Sequence, residues 1–302
     1  MSSVYEIVTN KIIEALEKGV VPWVNPYTGK QHQNYVTKHE YSGVNSLLLN
    51  AVALEKGYTT PYWVTYNQAT VRGWKIKKGS KAAVVTLWKE SFFVENSDVE
   101  ETTINENIVE KNKSDRKIVL RYYNVFNLDD VDGVELTKDE QEYADFNFAT
   151  DFSNKITLPS AYCKSENITV KTLPNGISFY APSDDVIALA PVKPEFFLPV
   201  FAHECVHSTG HAKRLNRQSL NFINEKKVNY SFEELIAEIG SAMLCSYMNI
   251  NFSIENAASY VNGWASFLKQ DKKTAVVRAS SQAQKAVEFI IKSTNNYRQT
   301  AA

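Results

Sequence analysis

Apolar positions recur at helical spacing near the start of the chain, at Ile7, Val8, Ile12, Ile13 and Leu16, with Gly19 just beyond. Residues three and four apart share a helix face, so this spacing predicts an amphipathic helix over Ile7 to Leu16. A second helix is expected over Ser46 to Leu54, opened by Tyr41-Ser42-Gly43-Val44-Asn45, and a third over Thr65 to Arg72. Between Lys81 and Phe93, and again between Lys117 and Phe126, β-branched and aromatic residues dominate, which predicts two strands of an antiparallel sheet. Helical spacing returns at Leu235, Ile236, Ile239, Met243 and Leu244. Ser231 is the expected N-cap there, with Glu234 at the third helical position. The run Phe196 to Ala202 is apolar throughout, as a buried helix entry should be.

These elements predict an α+β protein of two domains: residues 1–135, a linker over 136–158, and residues 159–302. Thr137 to Glu142 is polar and acidic, and Ser153 to Pro159 carries turn residues. Glu95 to Asp115, poor in apolar residues, reads as an exposed hairpin loop or an insertion. A net charge of −1 gives no global attraction to nucleic acid or membrane. Three scattered cysteines, Cys163, Cys205 and Cys245, cannot form a disulfide framework and suit buried thiols in a cytoplasmic protein. No apolar run approaches the length of a membrane span, and Met1 to Glu6 lacks the basic and apolar regions of a signal peptide.

Three of the five histidines fall within nine residues, and two of them form His203-Glu204-Cys205-Val206-His207. On a helix, positions i and i+4 lie one turn apart on one face, so both imidazoles can reach one Zn²⁺ or another divalent ion such as Mn²⁺. Glu204 then faces the open coordination position as a general base. The third ligand is expected from the Glu233 to Leu244 helix: Glu234, with Glu238 as the carboxylate behind a ligating histidine, or the two in exchanged roles. A third histidine ten residues after the first would mark the three-histidine variant; Lys213 stands there. His211 is expected at a helix end or in a substrate cleft. The run Lys213 to Arg217 is basic, either an anion site or a solvated loop. Ile177 to Ala190 is the expected edge strand for an extended peptide, and Tyr180 or Tyr230 an oxyanion donor.

The first half has its own chemistry. It holds four of the five tryptophans, Trp23, Trp63, Trp74 and Trp88. Residues 72–89 carry six basic side chains, Arg72, Lys75, Lys77, Lys78, Lys81 and Lys89, and no acidic one. Basic side chains track a phosphate backbone and aromatic faces stack unpaired bases, a mixture suited to single-stranded nucleic acid. The same tryptophans would serve equally as core, and Lys77 to Lys81 as an ordinary solvated turn.

The stretches Ala15 to Trp23, Tyr41 to Asn45, Pro61 to Ala69, Lys78 to Lys81 and Tyr123 to Asn127 resemble the ArdC-type antirestriction proteins of plasmids, integrative elements and phages. Tyr180 to Ile187, His203 to His207, Thr209 to His211, Arg214-Leu215 and Glu233 to Glu238 resemble that family's zincin-like metallopeptidase domain. The resemblance implies an N-terminal domain that binds single-stranded DNA, a zinc-peptidase fold and the protection of incoming DNA from restriction. A host protein is the implied substrate class. Candidate strand-binding residues are then Trp23, Tyr41, Asn45, Trp63, Tyr66, Gln68, Lys75, Lys77, Lys78, Lys81, Trp88 and Lys89. The alternative is a protection or conjugation accessory protein whose metal site is structural.

Overall fold

The computed structural model describes residues 3–27, 30–92, 116–137, 140, 157–221, 227–250, 252, 257–270 and 274–301. The expected loop over 95–115, and most of the expected linker, lie outside the described residues. Helix α1 (Val4–Glu17) opens on a capping box in which Ser3 and Glu6 exchange side-chain to backbone bonds. Helix α2 (Val44–Lys56) ends at Gly57, whose φ of +66° is the left-handed stop that glycine adopts at little cost. Helix α3 (Tyr66–Val71) is opened by a second capping box, Thr65 with Gln68.

The first half follows the expected pattern, with one addition. Strands β1 (Gln33–Asn34), β2 (Tyr62–Val64), β4 (Ala83–Phe92) and β5 (Arg116–Asn127) form one sheet in the order β1-β2-β5-β4. The β4–β5 and β2–β5 pairings are antiparallel as expected, but β1 joins β2 in parallel, so the sheet is mixed. Strands β3 (Lys75–Ile76) and β6 (Val131–Asp132) form a separate antiparallel pair.

The second half is an α+β layer with helix α4 (Thr157–Ser165), then β7 (Thr169–Thr172), β8 (Phe179–Ala181) and β9 (Val186–Leu189) in the order β7-β9-β8. Pro159, read from sequence as part of a turn, sits in the first turn of α4, where a missing N–H breaks no helical bond. Helices α5 (Pro194–Thr209), α6 (Gln218–Asn221), α7 (Lys227–Tyr247), α8 (Ala257–Gln270) and α9 (Ala275–Ala301) follow. Helix α7 starts before Ser231, so Ser231 is an interior residue and not the N-cap expected from sequence.

One apolar core runs through both halves. Val8, Ile12 and Leu16 of α1 join Val261 and Leu268 of α8, Val276 and Ile290 of α9, and Cys205, Leu235, Ile236 and Ile239 of the α5–α7 pair. Each such side chain removed from water contributes about 1.5–3 kcal/mol.

Helices α5 and α7 pack closely at Gly240. A Cβ built on Gly240 would lie 2.9 Å from Cγ1 and 3.0 Å from Cγ2 of Val206, inside normal contact. Val206 is wholly buried and β-branched, so it cannot swing away. Gly240→Ala is therefore expected to lose more to overpacking, about 1–3 kcal/mol, than the ~1 kcal/mol it gains in helix propensity. Chemical denaturation should show net destabilisation with an unchanged m-value; a stabilised variant would contradict this packing.

Candidate metal centre

Helix α5 begins with Pro194 at its first position, where proline's fixed φ suits a helix start, and carries Pro199 in its interior without ending. It delivers His203 and His207 to one face. Helix α7, held close by Gly240, brings Glu233, Glu234 and Glu238 opposite them. The Nε2 atoms of His203 and His207 face one another at 3.0 Å. Glu234 spans the pair, with Oε2 at 3.4 Å from His203 Nε2 and Oε1 at 3.4 Å from His207 Nε2. Ligand atoms about 2.0–2.1 Å from one ion at tetrahedral angles lie roughly 3.3–3.4 Å apart, so this donor set fits a single metal ion. Among the described residues, His203, His207 and Glu234 are the group whose donor atoms converge in this way. Glu234 belongs to that converging group, and Glu238 does not.

Each imidazole is backed by a second carboxylate. His203 Nδ1 lies 3.9 Å from Glu238 Oε1, and His207 Nδ1 lies 3.4 Å from Glu233 Oε1. Sequence reasoning gave the first and missed the second. Glu233 is completely buried and also receives the guanidinium of Arg217 and the Ser219 hydroxyl. Its only sequence signal was its place beside Glu234. Arg217, the cation that allows it to stay buried and charged, is fixed by tertiary packing.

The electrostatics follow from burial set against pairing. Burial by itself would push the His207 imidazolium down, but Glu233 and Glu234 reverse this and raise it to about 10. Burial works likewise against Glu233, yet His207 and Arg217 hold it down to about 2. Glu234 is held well below the usual carboxylate range by both imidazoles, again against burial. Glu204 moves the other way. It is buried, and the loss of water raises its pKa above the ordinary value, although both histidines and the Tyr180 backbone N–H, which donates to it, oppose the shift. A carboxyl group poised upward in this manner suits proton exchange near neutrality.

The group opens onto a cleft of about 860 Å³, whose wall includes Phe179, Val192, Phe196, Val200, Leu220 and Phe252. Among the described residues strand β8 pairs with β9 alone and borders the cleft, within the Ile177 to Ala190 segment expected for peptide pairing. Tyr180 does not meet its expectation as an oxyanion donor. Its hydroxyl donates to Asp185 and accepts from Arg214, and the side chain is buried. The side chain of Tyr230 lies outside the described residues. The Lys213 to Arg217 run is divided: the guanidinium groups of Arg214 and Arg217 are buried and paired with Asp185 and Glu233, while Lys213 and Asn216 are exposed. His211 follows the end of α5, where its Nδ1 accepts the Lys213 N–H, and it does not line the cleft.

The candidate strand-binding residues separate into two groups. Trp23, Tyr41 and Trp63 are buried, with no face left for a base. Trp63 donates to His32, whose pKa burial lowers to about 3, making it a neutral core acceptor. Asn45 ties α2 to β4 through three bonds with Thr86, and Gln68 closes its capping box and exchanges bonds with Asn34. These two are structural. Tyr66 and Trp88 are exposed, at 61% and 53%, as are Lys75, Lys77, Lys78, Lys81 and Lys89. Four of these lysines follow one another along the connection from β3 into β4. Lys77 is partly engaged there, donating to the Asp129 carbonyl at 2.7 Å.

Known proteins place this arrangement. Residues 2–126 match the N-terminal domain of anti-restriction factor ArdC, and residues 160–282 match a zincin-like metallopeptidase domain. The crystal structure of the antirestriction ArdC protein from R388 plasmid in its metal-free form superposes with a TM-score of 0.72 at 31% identity, over 98% of this chain and 99% of that one. Its Mn(II)-bound form gives 0.71 at 30% identity, with the same coverage. Two Escherichia coli proteins named DNA primase TraC are each 28% identical over 95% of this chain, which spans 27% and 20% of their lengths. An uncharacterised Sinorhizobium fredii protein is 27% identical over 96% of this chain and 92% of its own length. The chain belongs to the family of ArdC antirestriction proteins and carries that family's N-terminal domain ahead of a zincin-like metallopeptidase domain.

Proposed function

We propose that this antirestriction protein is a zinc-dependent peptidase guided by single-stranded DNA, with a host protein as substrate. The observation that carries the reading is the convergence of donor atoms from His203, His207 and Glu234 beside the buried carboxyl group of Glu204, at a cleft bordered by strand β8. A divalent ion held by His203, His207 and Glu234, Zn²⁺ or alternatively Mn²⁺, would supply Lewis-acid polarisation of a carbonyl and of a water. Glu204 would take a proton from the attacking water and pass it to the leaving amine. The edge of β8 holds an extended peptide by backbone pairing, and the apolar cleft wall accepts side chains flanking the cut bond. Residues Lys75, Lys77, Lys78, Lys81 and Lys89 follow a strand's phosphates, and Tyr66 and Trp88 offer faces to its bases.

A second reading has its own support. The relatives named DNA primases share the whole unit within much longer chains, which favours a unit that works by holding DNA and protects it without cleavage. The base Glu204 separates the two readings. A structural metal site has no use for such a group and is ordinarily closed by a fourth protein ligand.

Three measurements follow. Because a ligand imidazole must be neutral, and the two carboxylates raise His207 to about 10 in the absence of metal, binding must expel a proton. Apparent affinity should rise about tenfold per pH unit for each proton expelled, up to that value. Calorimetry in buffers of different ionisation enthalpy checks this, and affinity flat between pH 6 and 8 would refute it. Glu204→Gln should keep metal and DNA binding while lowering any peptide cleavage by about two to four orders of magnitude. If that variant protects DNA from a restriction endonuclease as well as wild type does, cleavage is not the protective mechanism. Finally, replacing Lys75, Lys78 and Lys81 with alanine in the full chain should flatten the salt dependence of strand binding by about 0.7 in log–log slope per lost phosphate contact. An unchanged slope would remove this connection from the DNA surface.

A further inference from the structure

The two carboxylates behind the histidines are held in different ways. Glu233 is fixed within the second half, by Arg217 and Ser219. Glu238 is held from outside α7. Its Oε2 accepts the hydroxyl proton of Tyr260, on α8, at 2.8 Å. That hydroxyl in turn accepts the indole N–H of Trp23 at 2.9 Å. Trp23 belongs to the segment matched by the ArdC N-terminal domain and is 2% exposed.

The direction of this chain is not free. An indole nitrogen can only donate, so the Tyr260 oxygen must accept from Trp23, and its own proton is left for Glu238. With Oε2 occupied, Oε1 is the oxygen that faces His203 Nδ1, at 3.9 Å. That places a carboxylate behind the ring of His203 while Nε2 faces Glu234 and His207, the arrangement in which a ligating imidazole keeps its remaining proton on Nδ1 toward a supporting acceptor. The rings are braced as well as bonded. Trp23 meets Tyr260 edge-on at 6.2 Å and Trp264 at 6.3 Å, and Trp264 meets Tyr260 at 6.3 Å. Neither Trp23 nor Tyr260 reaches the donor atoms themselves.

We infer that Tyr260 and Trp23 are positioning residues for the metal centre, through Glu238 and His203, so that the ion's affinity depends on a side chain of the N-terminal half. This inference rests on the metal-site reading above and extends it to the interface between the halves. It also gives Trp23 a role in place of base stacking.

The test is a competition titration with Zn²⁺ and a chelator on the full chain: wild type, Tyr260→Phe, Trp23→Phe and Glu238→Gln. Loss of a group that orients a ligating histidine weakens metal binding by about 10- to 100-fold, and Tyr260→Phe and Glu238→Gln should fall in that range. Trp23→Phe should weaken it by a smaller factor, roughly threefold to tenfold on the same basis, because its N–H acts on Glu238 only through Tyr260. Melting of the metal-free proteins reads folding separately. In the Zn²⁺-loaded protein the His203 Nδ1 proton resonance should shift in Tyr260→Phe and Glu238→Gln while that of His207 stays in place, a selectivity that a general loss of packing would not produce. Should Tyr260→Phe fail to fold, Trp23→Phe decides by the same measurements. Affinities within twofold of wild type, with the His203 Nδ1 proton resonance unchanged, would overturn the inference. Failure of the wild type itself to take up Zn²⁺ would overturn the metal-site reading, and the inference with it.

Discussion

Placing four carboxylates beside two imidazoles with little water between them is the constraint around which the second half is organised. A buried carboxylate without a partner would surrender its charge, because desolvation outweighs any weak compensation. Glu233 keeps its charge through Arg217 and His207, and Glu234 keeps its own through both histidines. Glu204 is given no cationic partner of its own, and its pKa rises. Neighbouring residues of one chemical type are thus sorted into ligand, support and base by what each can reach. Breaking a buried pair such as Arg217–Glu233 typically costs about 3–5 kcal/mol, since the surviving charge is stranded. The stability of this half and the readiness of its site are therefore one electrostatic problem.

The helix contact at Gly240 sets the distances on which that sorting depends. With α7 seated against Val206, the carboxylates stand opposite the imidazoles at ligand spacing. A change of a few tenths of an ångström in the interhelical gap would be felt at every donor atom. The same core continues into α1, α8 and α9, so the site is supported by both halves and not by the zincin-like domain alone. Exposed ion pairs across the same boundary, such as Lys269 with Glu17, contribute little beside that apolar contact.

In the first half, aromatic residues divide by position. Those at the foot of the sheet close its core, with Trp63 against Tyr58 and neutral His32, and Tyr27 against that histidine as well. Other side chains of the β4–β5 ladder stay open: Leu87, Trp88 and Tyr123 are exposed while Ala83, Val85 and Val125 of the same strands are buried. A sheet ribbon that leaves its packing partners in this way can present apolar and aromatic faces without losing its backbone pairing. The lysines of the β3–β4 connection stand near its base and give the half a local positive charge that the net balance of the chain conceals.

What the sequence determined by itself was whatever depends on spacing along one element. Helical periodicity located α1, α2, α3 and the core of α7, and the β-rich runs located β4 and β5. The i and i+4 histidines declared a metal site, because two imidazoles one turn apart face the same way in any α-helix. For a third donor, residue type and interval offered Glu234 and Glu238 alike, and the fold brought Glu234 to the two histidines. Tertiary structure decided the rest, where the partner lies far along the chain. Glu233 is a support for His207 because Arg217 folds back beneath it, and Glu238 is held by Tyr260, which reaches it from α8. Trp23 and Trp88 are the same residue type in the same half, yet one is sealed against α8 and the other is half exposed. Composition cannot tell them apart, because burial is a property of what packs on a side chain and not of the side chain itself.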